Sequence, residues 1–254
     1  DLGFIKDQQI IIPLRSNNAK SIYTSMTTEL SKQSGIRSTG ACLYYPGIFN
    51  PMDMLMYKEG MTQNDSKRIF RNFVDENLLN TLGIEPIAGR TFSEKFPGDT
   101  NMRMVMNEEA IRQLGFSSPQ EAIGKNVGVD WRGETHRFEV IGVVKDFHFQ
   151  DLHVPIEPYA FELSSDRSFN YLVAHAKGAD ISNALHEIEN VWKRLNPNEP
   201  FEYSFLDDDF AKHFESENQL ASLVGYFTII AILISCLGLF GLAAFSAEQR
   251  TKEI

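Results

Sequence analysis

A run of twenty-five residues without a charge, Leu223 to Ala247 (LVGYFTIIAILISCLGLFGLAAFSA), constrains this chain more than any other stretch. As an α-helix it reaches roughly 37 Å, more than the ~30 Å hydrocarbon core of a bilayer, and so is long enough to cross with some tilt. Thirteen of its positions are Leu, Ile, Val or Phe, each favouring insertion by roughly 0.3 to 0.6 kcal/mol. A core helix of a soluble domain would ordinarily show a polar face within two turns, whereas this run is apolar all round. The composition therefore predicts a transmembrane helix over 223–247. Glu248-Gln249-Arg250-Thr251-Lys252-Glu253 follows directly, and cations beside a span mark its cytoplasmic side. On that reading everything before Leu223 is extracytoplasmic.

About 222 of the 254 residues precede the span, enough for one large domain or two small ones with cores of their own. The chain starts at Asp1 without Met or a signal-type segment, so it reads as a piece of a longer protein. Its net charge of -10 is scattered, apart from Asp207-Asp208-Asp209, which argues against nucleic acid or an anionic lipid surface as a partner. Cys42 lies in the soluble part and Cys236 inside the span, so the two are not placed to pair and Cys42 reads as a small packed residue.

Two β-α-β units frame the soluble part. In the first, Gln9 to Leu14 (QIIIPL) is a buried strand. A helix follows, capped by Asn17 or Asn18 with Ile22, Met26 and Leu30 on one face, and Ile36 to Tyr45 is a looser strand. In the second, Tyr171 to Lys177 is a strand and Ile181 to Leu195 a helix whose Leu185, Ile188, Trp192 and Leu195 share a face. Phe201 to Leu206 then alternates as a half-buried strand. Two such units are the ingredients of a ferredoxin-like split βαβ sandwich, here interrupted by about a hundred residues.

The interruption carries its own elements. These are a strand over Ile69 to Val74, a short helix through Leu78, Leu79 and Leu82 closed by Gly83, and a strand over Met102 to Met106. A helix capped by Asn107 and stopped by Gly115 follows, then a Ser118-Pro119-Gln120-Glu121 capping box and a hairpin around Arg132-Gly133. The expected fold class is therefore α+β. A ferredoxin-like subdomain (1–65 and 165–206) carries an inserted smaller α+β subdomain (66–164). A stalk helix (207–222), with a thin stripe of Phe210, Phe214 and Leu220, runs without Gly or Pro into the transmembrane helix. Residues 248–254 begin a cytoplasmic segment.

No catalytic, cofactor or metal constellation is expected. Asp146-Phe147-His148-Phe149-Gln150-Asp151-Leu152-His153 concentrates two carboxylates and two imidazoles, but no third ligand has motif spacing. The plain reading is a polar loop anchored by its phenylalanines. There is no G-x-S-x-G elbow, and EAIGKNVG lacks P-loop spacing. Tyr44, Tyr45 and Phe49, with Met52 and Met54 in the Met-rich stretch PGIFNPMDMLMY, form either a surface for apolar cargo or core.

Three segments together, VIGVVKDFHFQDLHVPIEP (140–158), NPNEPFEYSFLDDDF (196–210) and FTIIAILISCLGLFGLAAFSAEQRTKEI (227–254), resemble the MacB-like, FtsX-type ABC transporter permeases of Gram-negative bacteria. The resemblance runs over essentially the whole chain, and its last segment is the most specific. It implies a periplasmic domain between two inner-membrane spans and a coupling segment at Arg250, Thr251, Lys252 and Glu253 that touches a cytoplasmic ABC ATPase subunit. It also implies a second half of the permease, membrane lipid around the span, and a periplasmic adaptor or cargo. Such permeases use ATP to expel peptides, antibiotics or lipoproteins, or to activate wall hydrolases. The alternative from another class is the extracytoplasmic sensor domain of a membrane receptor, and the residues after Ile254 discriminate the two.

Overall fold

The computed structural model describes residues 2–150, 154–178, 181–210, 224–239 and 241. The chain forms two compact units, Asp1–Phe210 and Ala211–Ile254. The first is mixed α+β. Its elements are β1 (Gln9–Pro13), α1 (Asn17–Ser21), α2 (Tyr23–Leu30), β2 (Ile36–Cys42), β3 (Asp53–Lys58), β4 (Lys67–Val74) and α3 (Leu78–Thr81). After these come β5 (Pro86–Gly89), β6 (Arg103–Asn107), α4 (Glu108–Gln113), α5 (Pro119–Ala122), β7 (Asn126–Trp131) and β8 (Glu134–Val144). The chain then returns through β9 (Tyr159–Leu163), β10 (Tyr171–Ala176), α6 (Ile181–Leu195) and β11 (Ser204–Phe205).

The two β-α-β units interleave. β10 pairs antiparallel with both β1 and β2, and β1 pairs antiparallel with β11, giving the order β11-β1-β10-β2. Each unit therefore leaves a gap between its own strands that a strand of the other fills. This explains QIIIP, which carries no alternation because both faces are covered. Ile10 and Ile12 pack under α2 and α6 with Met26, Leu30, Ile188 and Trp192, while Ile11 points into a second core on the opposite face. β11 is shorter than the expected strand: residues 201–203 are irregular and residues 206–210 are already helical. The first helix is capped by Ser16 and not by Asn17 or Asn18: its hydroxyl accepts from Ala19 N. Ser16 is extended, as a cap requires, while both asparagines lie inside the helix.

The intervening strands close on themselves. β4 pairs with β3, β3 with β7, β7 with β8, β8 with β6, β6 with β9, and β9 back with β4. A ring of pairings removes sheet edges. Its inward positions are apolar, among them Met56, Ile69, Met104, Val127, Val129, Val140 and Ala160, and α4 and α5 seal one end through Ala110, Ile111, Leu114 and Ala122. The hairpin turn at Arg132 and Gly133 has positive φ at both residues, the type I′ geometry that matches strand twist. The Met-rich stretch runs into β3, and β9 follows directly on Pro158. Among the strands, β2 and β4 join the two halves through the single pair Cys42 and Val74.

In the second unit, residues 224–239 and 241 are helical, and Phe227, Ile234 and Leu237 are exposed. Among the described residues no helix is long and apolar enough to cross a membrane. The expected stalk beyond Phe210, the remainder of the expected span and the coupling segment lie outside the described residues.

Candidate functional site

The site of interest is where residues 206–210 leave the first unit. Leu206 is buried and Phe210 is 3% exposed, its ring 5.6 Å from that of Phe4. Asp209 lies between them in sequence and accepts from the Tyr45 hydroxyl at 2.9 Å and from Ser204 Oγ at 2.5 Å. Burial, reinforced by the Asp209 carboxylate, pushes the Tyr45 hydroxyl well above its ordinary pKa, so it donates throughout the physiological range. Gly47 makes the close approach. Its φ is +100°, and a Cβ there would sit 2.8 Å from the Phe210 ring, so only glycine suits both the backbone and the space.

The DFHF segment forms the floor. Phe149 O accepts from Gly47 N at 2.6 Å, and Leu2 O accepts from His148 N at 3.0 Å. Phe149 stacks on Tyr159 at 4.5 Å, and Phe147 lies 5.4 Å from Tyr159 and 5.6 Å from Phe161. Four segments distant in sequence (2–5, 44–48, 146–150 and 206–210) thus meet in one aromatic core. That core lies between the outer wall of the strand ring and one face of the four-stranded sheet.

The sequence-derived candidates divide. Tyr45 is core, Tyr44 packs against it half-buried, Phe49 is 70% exposed, and Met52 and Met54 are half-buried. Phe210 is packed by residues of this chain, whereas Phe214, Leu220, Arg250, Thr251, Lys252 and Glu253 lie outside the described residues. Asp146 accepts from Glu109 N at the start of α4, and burial raises its pKa. Asp151 and His153 are outside the described residues. Among the described residues no three His, Cys, Asp or Glu side chains gather to hold a metal ion.

The family model of the MacB-like periplasmic core domain matches residues 47–191, more than half of the 254-residue chain. The chain belongs to that family. The fold of the MacB-like domain is similar to the crystal structure of the periplasmic region of MacB from Actinobacillus actinomycetemcomitans, with TM-score 0.55 and 16% identity over 84% of this chain and 94% of that one. It is also similar to the extracellular domain of the noncanonic ABC-type transporter YknZ from Gram-positive bacteria, with TM-score 0.51 and 14% identity over 77% and 98%. No curated protein matches it. As a MacB-like domain it is the extracytoplasmic part of an ABC transporter permease, a family that works with an ABC ATPase.

One polar cluster in the MacB-like domain escaped the reading of the sequence. The Tyr23 hydroxyl donates to Asp75 Oδ2 at 2.5 Å, and Asp75 Oδ1 accepts from Asn77 N and Leu78 N, capping α3. Glu76 beside it pairs with Arg167 at 2.8 Å. Desolvation raises the Asp75 carboxyl from 3.8 to about 6 despite these donors. Asp75 three residues before Leu78 was the available signal, since an acid there suits a helix start.

Proposed function

We propose that this domain transmits ATP-driven conformational change in a bacterial inner-membrane permease, from a cytoplasmic ATPase through residues 223–247 as a span and 207–222 as a lever, to the periplasm. There the change exports or extracts a peptide, antibiotic or lipoprotein cargo, or regulates a periplasmic partner such as an adaptor. The domain is not an enzyme in this reading. Its four strands β11-β1-β10-β2 with α2 and α6 act as a ferredoxin-like subdomain, and the strand ring as the inserted one, with the interleaving of the two β-α-β units in support.

One observation carries the reading. Leu206, Asp209 and Phe210 are locked into the core shared by both halves, so a force on that helical turn is delivered to packed side chains and not to a loose loop. Cores are dense and transmit strain.

The test uses the intact permease with its ATPase in liposomes. Glu215, outside the described residues, is replaced by proline, which breaks a helix at a local cost of ~3 kcal/mol. Glu215→Pro should leave assembly and ATP hydrolysis in place and abolish cargo movement. Transport at the normal rate would overturn the proposal.

A further inference from the structure

The strand ring has two ends of different character. α4 follows Asn107 at the end of β6 and, with α5, closes one end. At the other, beside the β7–β8 hairpin turn, a cavity of about 350 Å³ is lined by Met54, Arg71, Val129, Trp131, His136 and Phe138. This lies within the roughly 300–1,000 Å³ range of small-molecule sites, which favour barrel mouths and combine apolar walls with a few polar groups. The alternation along each strand places these side chains. Met54 shares the inward face of β3 with Met56, Val129 and Trp131 share that of β7, and His136 and Phe138 share that of β8 with Val140.

Arg71 and His136 are the polar elements of the lining, and Arg71 is underused. Its Nη1 lies 3.3 Å from Glu162 Oε1 and 3.4 Å from Met54 Sδ, and its guanidinium covers the Phe73 ring at 4.6 Å. The approach to Glu162 is close enough for charge attraction, yet it is not aligned as a hydrogen bond. Both Arg71 Nε and Glu162 Oε1 are buried without a hydrogen-bond partner. A buried guanidinium N–H without an acceptor costs free energy that an incoming acceptor recovers. Burial raises the pKa of Glu162, with Arg71 opposing. An anion on Arg71 therefore leaves the pair balanced when Glu162 takes up a proton.

We infer that the open mouth of the ring is a binding site for a small amphipathic carboxylate. Its apolar or aromatic body lies between Met54, Val129, Trp131 and Phe138, and its carboxylate accepts from the Arg71 guanidinium. This site is independent of the transmission reading, because no residue of the aromatic junction lines it.

The probe is 4-phenylbutyrate, set against its uncharged relative 4-phenylbutyramide, titrated into the full chain in lipid nanodiscs. The emission of Trp131 reports binding, since Trp131 is 55% exposed while the other tryptophan, Trp192, is 2% exposed. The acid should give a saturable change and bind about tenfold tighter than the amide, the scale of one charge-assisted hydrogen bond. Replacing Arg71 and Glu162 together by Met removes both buried charges at once and should abolish that preference while the amide still binds. Should the pair fail to fold, Met54→Glu at the half-buried rim supplies a carboxylate beside Arg71 from within the chain. It should weaken the acid about tenfold more than it weakens the amide, which loses only the Met54 wall. Absence of a saturable Trp131 signal, equal binding of acid and amide, or full acid binding to Met54→Glu would each overturn the site.

Discussion

At the scale of single residues, Asp75 makes a signed prediction. Its carboxyl titrates at about 6 in the fold against an ordinary 3.8, so the native state holds the proton more tightly than the unfolded chain. Stability from this group is then present at low pH and is lost as pH rises from 3.8 through about 6. The groups facing it are Tyr23, Glu76, Arg167 and Cys42. Asp75→Asn keeps an acceptor for the α3 cap and removes the titration. Urea denaturation at pH 4 and pH 7 should show the variant gaining on the wild type by about 2 to 3 kcal/mol across that interval. A constant difference would mean that Asp75 is ionised in the fold at both values.

Among the described elements, α6 runs over Ile181–Leu195, the range its sequence predicts. Its buried face is Ala184, Ile188, Val191 and Trp192, a stripe at three- and four-residue spacing with Glu187, Lys193 and Arg194 opposite. Trp192 also donates from its indole N–H to Glu199 O at 3.0 Å, which fixes the turn after the helix. Truncating it leaves a cavity over β1 and β10 and frees that carbonyl. Trp192→Ala should cost about 3 to 5 kcal/mol, read as a fall in the urea midpoint. An unchanged midpoint would show that the helix rests on the sheet without being needed by it.

For the whole molecule, the relevant fact is that the four-stranded sheet and the strand ring share one aromatic core. A shared core predicts one cooperative transition. The two tryptophans stand in different halves, Trp192 under the sheet and Trp131 at the ring mouth. Urea unfolding followed by Trp192 emission in Trp131→Phe should give the same midpoint as unfolding followed by Trp131 emission in Trp192→Phe, after correction for any shift in stability measured by circular dichroism. Separate midpoints would make the halves independent folding units and would weaken the case for force passing between them.

Local signals in the sequence determined α6, the two β-α-β units, the hairpin at Arg132-Gly133, the Asn107 and Ser118 caps and the family. For the elements a helical period, a turn residue or a cap acts within about ten residues of itself, and the family was legible from three longer segments, 140–158, 196–210 and 227–254. The buried phenylalanines of the DFHF segment were legible for the same reason, since an apolar residue flanked by polar ones has few other uses. Tertiary structure alone decided that β10 lies between β1 and β2, that six strands close into a ring, and that Pro-flanked 159–163 and Met-rich 53–58 are strands. It also placed Phe210 on Phe4 and Gly47, and Arg71 beside Glu162. Strand partners are chosen by burial between segments far apart in the chain, and period-two patterns of Met, Arg or Tyr acquire a face only when a neighbour supplies one.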